Sequence, residues 1–147
     1  MIANDIDQLP FDVASQRVIR YGVDINAAKK ALRVAISAEL TANRFAEVEE
    51  LISARAYRAA IALAGVILEH TLRELAAEGD VPILARAAIN QMAVALQNGG
   101  VIDVNLRVAI EEAAHLRNAA VHAQEFDADE AKARAMLNIV RRVVENA

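Results

Sequence analysis

Residues 111–122 read EEAAHLRNAAVH, and two of the chain's three histidines fall in this stretch, with Arg117 and Asn118 between them. Histidine has an unperturbed pKa of about 6.5, so it can take or return a proton near neutral pH. A guanidinium can stabilise charge that develops on a phosphate. If the stretch is helical, Glu111, His115, Asn118 and His122 recur at i, i+4, i+7 and i+11 and form one polar stripe. Leu106, Ile110, Ala113 and Ala120 cluster on roughly the opposite side, as a core face. Arg117 lies on the edge of that core face, where it must find an anion or bury only its stem. The plain structural alternative is a solvated His115 and Asn118 and an Arg117 that snorkels or pairs with a carboxylate. Glu111, His115 and His122 share a face, but the two histidines are two turns, about 10 Å, apart along the axis. One zinc could not join them without another segment, so no metal is assigned. Arg117 and His122 stand about 140° apart around a straight helix. They reach one atom only if the helix loosens near His122, or if a second copy of the segment faces the first in a symmetric dimer.

The elements that must position these residues follow from composition and punctuation. At 147 residues the chain fits one domain. Hydrophobic residues make up 56%, aromatics only 3%, and there are five glycines and two prolines. Abundant Ala, Leu, Arg and Glu with so few aromatics predict an all-α, single-domain bundle of about five helices. Residues 1–23 are the least regular and form an N-terminal arm, leaving 24–147 as the helical domain. Asp24 or Asn26 can cap a first helix running to about Ile52, and Ser53 can cap a second over 54–78, closed by Gly79. Pro82 suits the first turn of a third helix over 82–97, ended by Asn98-Gly99-Gly100. A fourth helix runs from Asp103 to about His122. Asp127 opens a fifth, with D-A-D-E at 127–130 in the form of a capping box.

With no cysteine, disulfides and cysteine-based zinc sites are excluded. The longest apolar run, Ala59–Leu68, is too short to span a bilayer and reads as a helix buried nearly all round. The N-terminal MIANDIDQLP is acidic and polar, unlike a signal peptide, so a cytoplasmic, membrane-free protein is expected. A net charge of −4 argues against a broad nucleic-acid surface while leaving room for a local basic cleft. On the second helix, His70 aligns with Ile52, Ala59, Leu63 and Val66 and reads as a hydrogen-bonded core histidine. Glu69, beside that face, could form a buried pair with Arg117.

Arg117-Asn118-Ala119-Ala120-Val121-His122 resembles the R-N-x-x-x-H form of the R-x4-6-H motif of HEPN domains (higher eukaryotes and prokaryotes nucleotide-binding). The motif's place near the end of the penultimate helix matches, and ARAYRAAIALAGVILEHTLRELA (54–76) is similar to the long second helix of bacterial HEPN-like domains. The resemblance covers about residues 25–146. One departure is Ala123, where many relatives carry Gly after the histidine.

The resemblance implies a homodimeric, metal-independent endoribonuclease without a cofactor, in which two copies of the motif build one composite cleft for RNA. It casts His122 as acid and base, Arg117 as the phosphate clamp and Asn118 as a positioning group; His115 and Glu111 on the polar stripe and Glu69 on the second helix are supporting candidates by position, outside the family motif. It further implies a toxin or defence role, with a protein antitoxin such as a nucleotidyltransferase-like partner. The alternative is a non-catalytic HEPN-like dimerisation or partner-binding module.

Overall fold

The computed structural model describes residues 25–123 and 125–146. Among the described residues there are five α-helices and no strand: α1 Ile25–Ser53, α2 Tyr57–Glu78, α3 Ile89–Asn98, α4 Val104–His122 and α5 Glu130–Glu145. The all-α reading therefore holds; the expected arm at 1–23 and the Asp24 cap lie outside the described residues. The contacts divide the chain into a unit ending at Leu40 and a second unit beginning at Thr41. In the first, the described part of α1 is solvent-facing, with Leu32, Ile36 and Leu40 each at least half exposed. The second unit is the bundle.

Its core is built on α2, which packs against α3, α4 and α5. Ile61, Leu68 and Leu72 of α2, Met92 and Leu96 of α3, Ile110 of α4 and Met136, Leu137 and Val140 of α5 are fully buried. The expected core stripe of α4 is present, since Leu106, Ile110, Ala113 and Ala120 are all buried, and Ala109 and Ala114 widen it. The run Ala59–Leu68 is not buried all round: Ile61, Ala64, Ile67 and Leu68 point inward, whereas Ala59 and Val66 face water. An unbroken apolar run carries no polar residue to mark its wet side. The same rotation takes His70 out of the core. It is exposed and pairs with Glu74 at 3.3 Å.

Helix ends explain the other departures. α1, α2 and α3 close in the same way, with a residue in the left-handed region and the following N–H returning to a carbonyl five residues back. These returns are Ala56 to Leu51, Val81 to Ala76 and Val101 to Leu96. The left-handed residues are Arg55 (φ 60°), Asp80 (φ 51°) and Gly100 (φ 71°). Only the last is the residue type that adopts this conformation without strain. Ser53 is thus not the cap of α2; it ends α1, donating from Oγ to the Glu49 carbonyl at 3.0 Å. Pro82 does not open α3 either. Val81 and Ile83 pack alternately onto the core in an irregular segment, and α3 starts only at Ile89, where the Gln91 side chain accepts from the Ala88 N–H at 3.0 Å. Burial of two residues at i and i+2 outweighs the helix propensity of the segment. Asp103 does cap α4, accepting from the Leu106 N–H at 2.7 Å. At α5 the cap is Asp129 rather than Asp127, accepting from the Lys132 N–H at 2.8 Å, so the expected capping box is absent.

Candidate functional site

α4 packs against α2, α3 and α5, and α2 makes the contacts that seat Arg117 and hold the helix end. Arg117 is half-buried, and its stem lies directly against Gly65 in the middle of α2. A Cβ added at Gly65 would fall 3.2 Å from Arg117 Cβ and 3.6 Å from Cδ, and closer still to Cγ. A glycine inside a helix costs about 0.5–1 kcal/mol relative to alanine. Here it leaves the space that Arg117 occupies. The Arg117 guanidinium then reaches outward and donates from Nη1 to Asn118 Oδ1 at 3.2 Å.

A cavity of about 230 Å³ opens beside this pair. Its walls are Glu69 from α2, the 87–90 segment at the start of α3, and Ala114, Arg117 and Asn118 from α4. Ala87, Ile89 and Ala114 supply buried apolar wall. Glu69 does not pair with Arg117 as expected. One of its carboxylate oxygens receives Arg73 Nη2 at 3.1 Å, and Arg73 also reaches the Ala87 carbonyl at 3.5 Å. The carboxylate is thereby held against the 87–90 segment, with its second oxygen still able to accept. Asn90, on the cavity wall, has a buried Oδ1 without a partner in the protein.

His122 stands apart from this cavity, exposed as the last residue of α4 and without a hydrogen bond among the described residues. The helix does not loosen there, because the Ala123 N–H still donates to the Ala119 carbonyl at 3.1 Å. What fixes the end is Arg58, a residue the motif does not announce. From the first turn of α2 it donates through Nε to the Ala120 carbonyl at 2.6 Å and through Nη2 to the Ala123 carbonyl. Carbonyls at a helix C-terminus lack partners within the helix, and a forked cation satisfies two at once while facing the negative end of the dipole. The only local signal for this role is an arginine at the start of a mostly apolar helix.

The structure thus brings together Arg117, Asn118 and Glu69, adds Asn90, sets Arg58 at the end of α4, and leaves three expected residues outside the cavity. His115 is exposed and does not line the cavity. Glu111 is occupied by an ion pair with Arg107 one turn earlier. His122 lies beyond the cavity, at the helix end.

The chain belongs to a family described as a domain of unknown function (DUF4145), whose model matches residues 46–147. That match covers the bundle helices α2 to α5 and the last two turns of α1, residues 46–53. No curated protein and no solved structure gives a significant match. Among the described residues, no helix is long and apolar enough to cross a membrane.

Proposed function

We propose that the chain is a HEPN-type, metal-independent endoribonuclease acting as a homodimer in the cytoplasm. The observation that carries this reading is the regularity of α4. Because the helix keeps its hydrogen bonding through Ala123, Arg117 and His122 of one chain remain about 140° and about 7.5 Å apart. A single copy therefore offers a phosphate-binding cation and a proton-transfer group that do not converge. A second copy related by a two-fold axis supplies the missing half of each.

In such a cleft, one His122 takes the proton from an RNA 2′-hydroxyl as its oxygen attacks the adjacent phosphorus. The bond to the 5′-oxygen breaks, and the His122 of the other copy protonates that leaving group. Arg117 stabilises the charge on the phosphate, and Asn118, already bonded to it, holds the guanidinium in place. The products are a 2′,3′-cyclic phosphate and a 5′-hydroxyl. Such an activity suits a toxin held in check by an antitoxin, for instance a nucleotidyltransferase-like protein.

The test is RNA cleavage in the presence of EDTA by wild type and by His122→Ala. Loss of about 10²–10⁴-fold in rate with the fold intact is expected. Chelation that abolishes cleavage, or His122→Ala at wild-type rate, refutes the mechanism. Arg117→Lys should not restore an Arg117→Ala loss if the phosphate contact is bidentate. The non-catalytic reading, a dimerisation or partner-binding module, is favoured by one observation: the exposed Leu32, Ile36 and Leu40 on α1.

A further inference from the structure

The cavity beside Arg117 has a chemistry that phosphate binding alone does not use. A site for phosphate needs donors, and Arg117 and Asn118 provide them. The same lining carries an acceptor, the Glu69 carboxylate, with one oxygen on Arg73 and the other uncommitted, and Asn90, whose buried Oδ1 finds no partner in the protein. The Arg73 pair uses one oxygen of the Glu69 carboxylate, and the other is an acceptor that phosphate binding does not use. The buried apolar side chains of Ala87, Ile89 and Ala114 complete the lining and suit a flat ring. At about 230 Å³ the cavity is smaller than the roughly 300–1,000 Å³ of pockets that enclose drug-sized ligands. It suits one ring system, not a whole nucleotide.

We propose that this cavity takes a single base of the RNA substrate and that Glu69 makes it select guanine. The proposal rests on the ribonuclease reading for its substrate, and it concerns a different part of the nucleotide. RNA-binding proteins read unstacked bases along their hydrogen-bonding edges. Guanine is the base that presents two neighbouring N–H donors, N1–H and the N2 amino group, on one edge, matching a carboxylate. Adenine and cytosine place a ring-nitrogen acceptor beside their amino group, which a carboxylate repels. Uracil has one N–H between two carbonyl acceptors. Asn90 lines the same cavity, and Arg117 and Asn118 remain for the phosphate. The Arg73 contacts to Glu69 and to the Ala87 carbonyl hold the carboxylate in place before any ligand arrives.

The experiment uses the full chain and two independent readings. Titration with guanosine, adenosine, cytidine and uridine 3′-monophosphates, followed by amide NMR, should show guanosine 3′-monophosphate binding about tenfold or more tightly than the others. Its shifts should centre on Glu69, Asn90 and Ala114. Glu69→Gln, which keeps shape but replaces one acceptor by a donor, should abolish the preference while leaving the fold intact. Sequencing of cleavage ends from a random RNA pool should show guanine at a fixed position relative to the cut, lost in Glu69→Gln. Equal binding of all four nucleotides, shifts outside the cavity, or a preference that survives Glu69→Gln overturns the proposal. The two readings also separate it from the parent hypothesis. Selective binding without any RNA cleavage supports the base site and sinks the ribonuclease. Cleavage without base preference or selective binding does the reverse.

Discussion

Gly65→Ala is the sharpest probe of how the motif is held, because its sign should depend on Arg117. Gly to Ala within a helix ordinarily stabilises by about 0.5–1 kcal/mol. At Gly65 the new methyl would sit 3.2 Å from Arg117 Cβ, and nearer still to Cγ, which is close to the backbone and cannot swing away freely. Overpacking of this kind costs about 1–3 kcal/mol. In the wild-type background the substitution should therefore destabilise, by a net of about 0.5–2 kcal/mol. In an Arg117→Ala background the Cγ and Cδ obstacles are gone and only the 3.2 Å approach to Cβ remains, so the same substitution should no longer destabilise and should stabilise by up to about 0.5–1 kcal/mol. The coupling between the two sites is then about 1–3 kcal/mol, well above the non-additivity of independent positions. Urea denaturation of the four proteins, followed by far-UV circular dichroism, measures it. If Gly65→Ala stabilises equally in both backgrounds, Arg117 does not lie against α2 and the placement of the site is wrong.

His122→Ala should change folding stability by no more than about 0.5 kcal/mol, because the side chain is exposed and unbonded among the described residues; a larger loss by the same denaturation assay contradicts that placement. Arg58→Ala should cost about 1–2 kcal/mol through its lost carbonyl bonds and raise amide exchange near His122, with Lys restoring only part because it lacks the fork. Arg55→Gly should stabilise by up to about 1 kcal/mol by relieving a left-handed arginine, read as a rise in denaturation midpoint. The Lys132 ammonium, and then the Lys132 backbone N–H, hold Asp129 below its ordinary value of 3.8. A depressed folded-state pKa gives stability that is present above that value and lost as pH falls through and below it. Asp129→Asn should therefore be the less stable protein at pH 6, with the difference closing as pH falls below 3.8; a gap that persists in acid refutes the assignment.

Which parts of this were readable in the sequence follows from the range of the interactions. The Asp103 cap was readable, because an aspartate and the amide it accepts from lie three residues apart. Gly100 marked the end of α3 by its residue type alone. The ends of α1 and α2 were readable as well, near Ile52 and at Gly79; what stayed hidden was the left-handed residue of each turn, since Arg55 and Asp80 stand where a glycine would have announced it. Pro82 misled for a different reason: its local preference for a first helical turn is real, but Val81 and Ile83 gain more by packing onto the core. The edge position of Arg117 followed from the helical wheel. Its partner did not, because contact between Gly65 and Arg117 depends on how two helices dock. Arg58 is the extreme case, bonding to a carbonyl 62 residues away. His70 shows the converse error, a periodicity that could not be phased without a polar marker.

The contacts along α2 show why the motif alone does not define the site. Arg58, Gly65 and Glu69 are spaced i, i+7 and i+11, so they lie along one face of α2. Each meets α4 at a different level. Arg58 holds the carbonyls of Ala120 and Ala123, Gly65 seats the Arg117 stem, and Glu69 faces Ala114 and Arg117 across the cavity. Residue numbers rise on α2 as they fall on α4, so the two helices run antiparallel here, with the glycine at the level of the arginine. An arginine and a histidine five residues apart occur by chance in many helices. What distinguishes this pair is that a second helix leaves space for the arginine, bonds the carbonyls at the histidine's end, and adds a carboxylate to the cavity beside the arginine. The placement of Arg117, and of the helix end that carries His122, is in that sense a property of the α2–α4 interface.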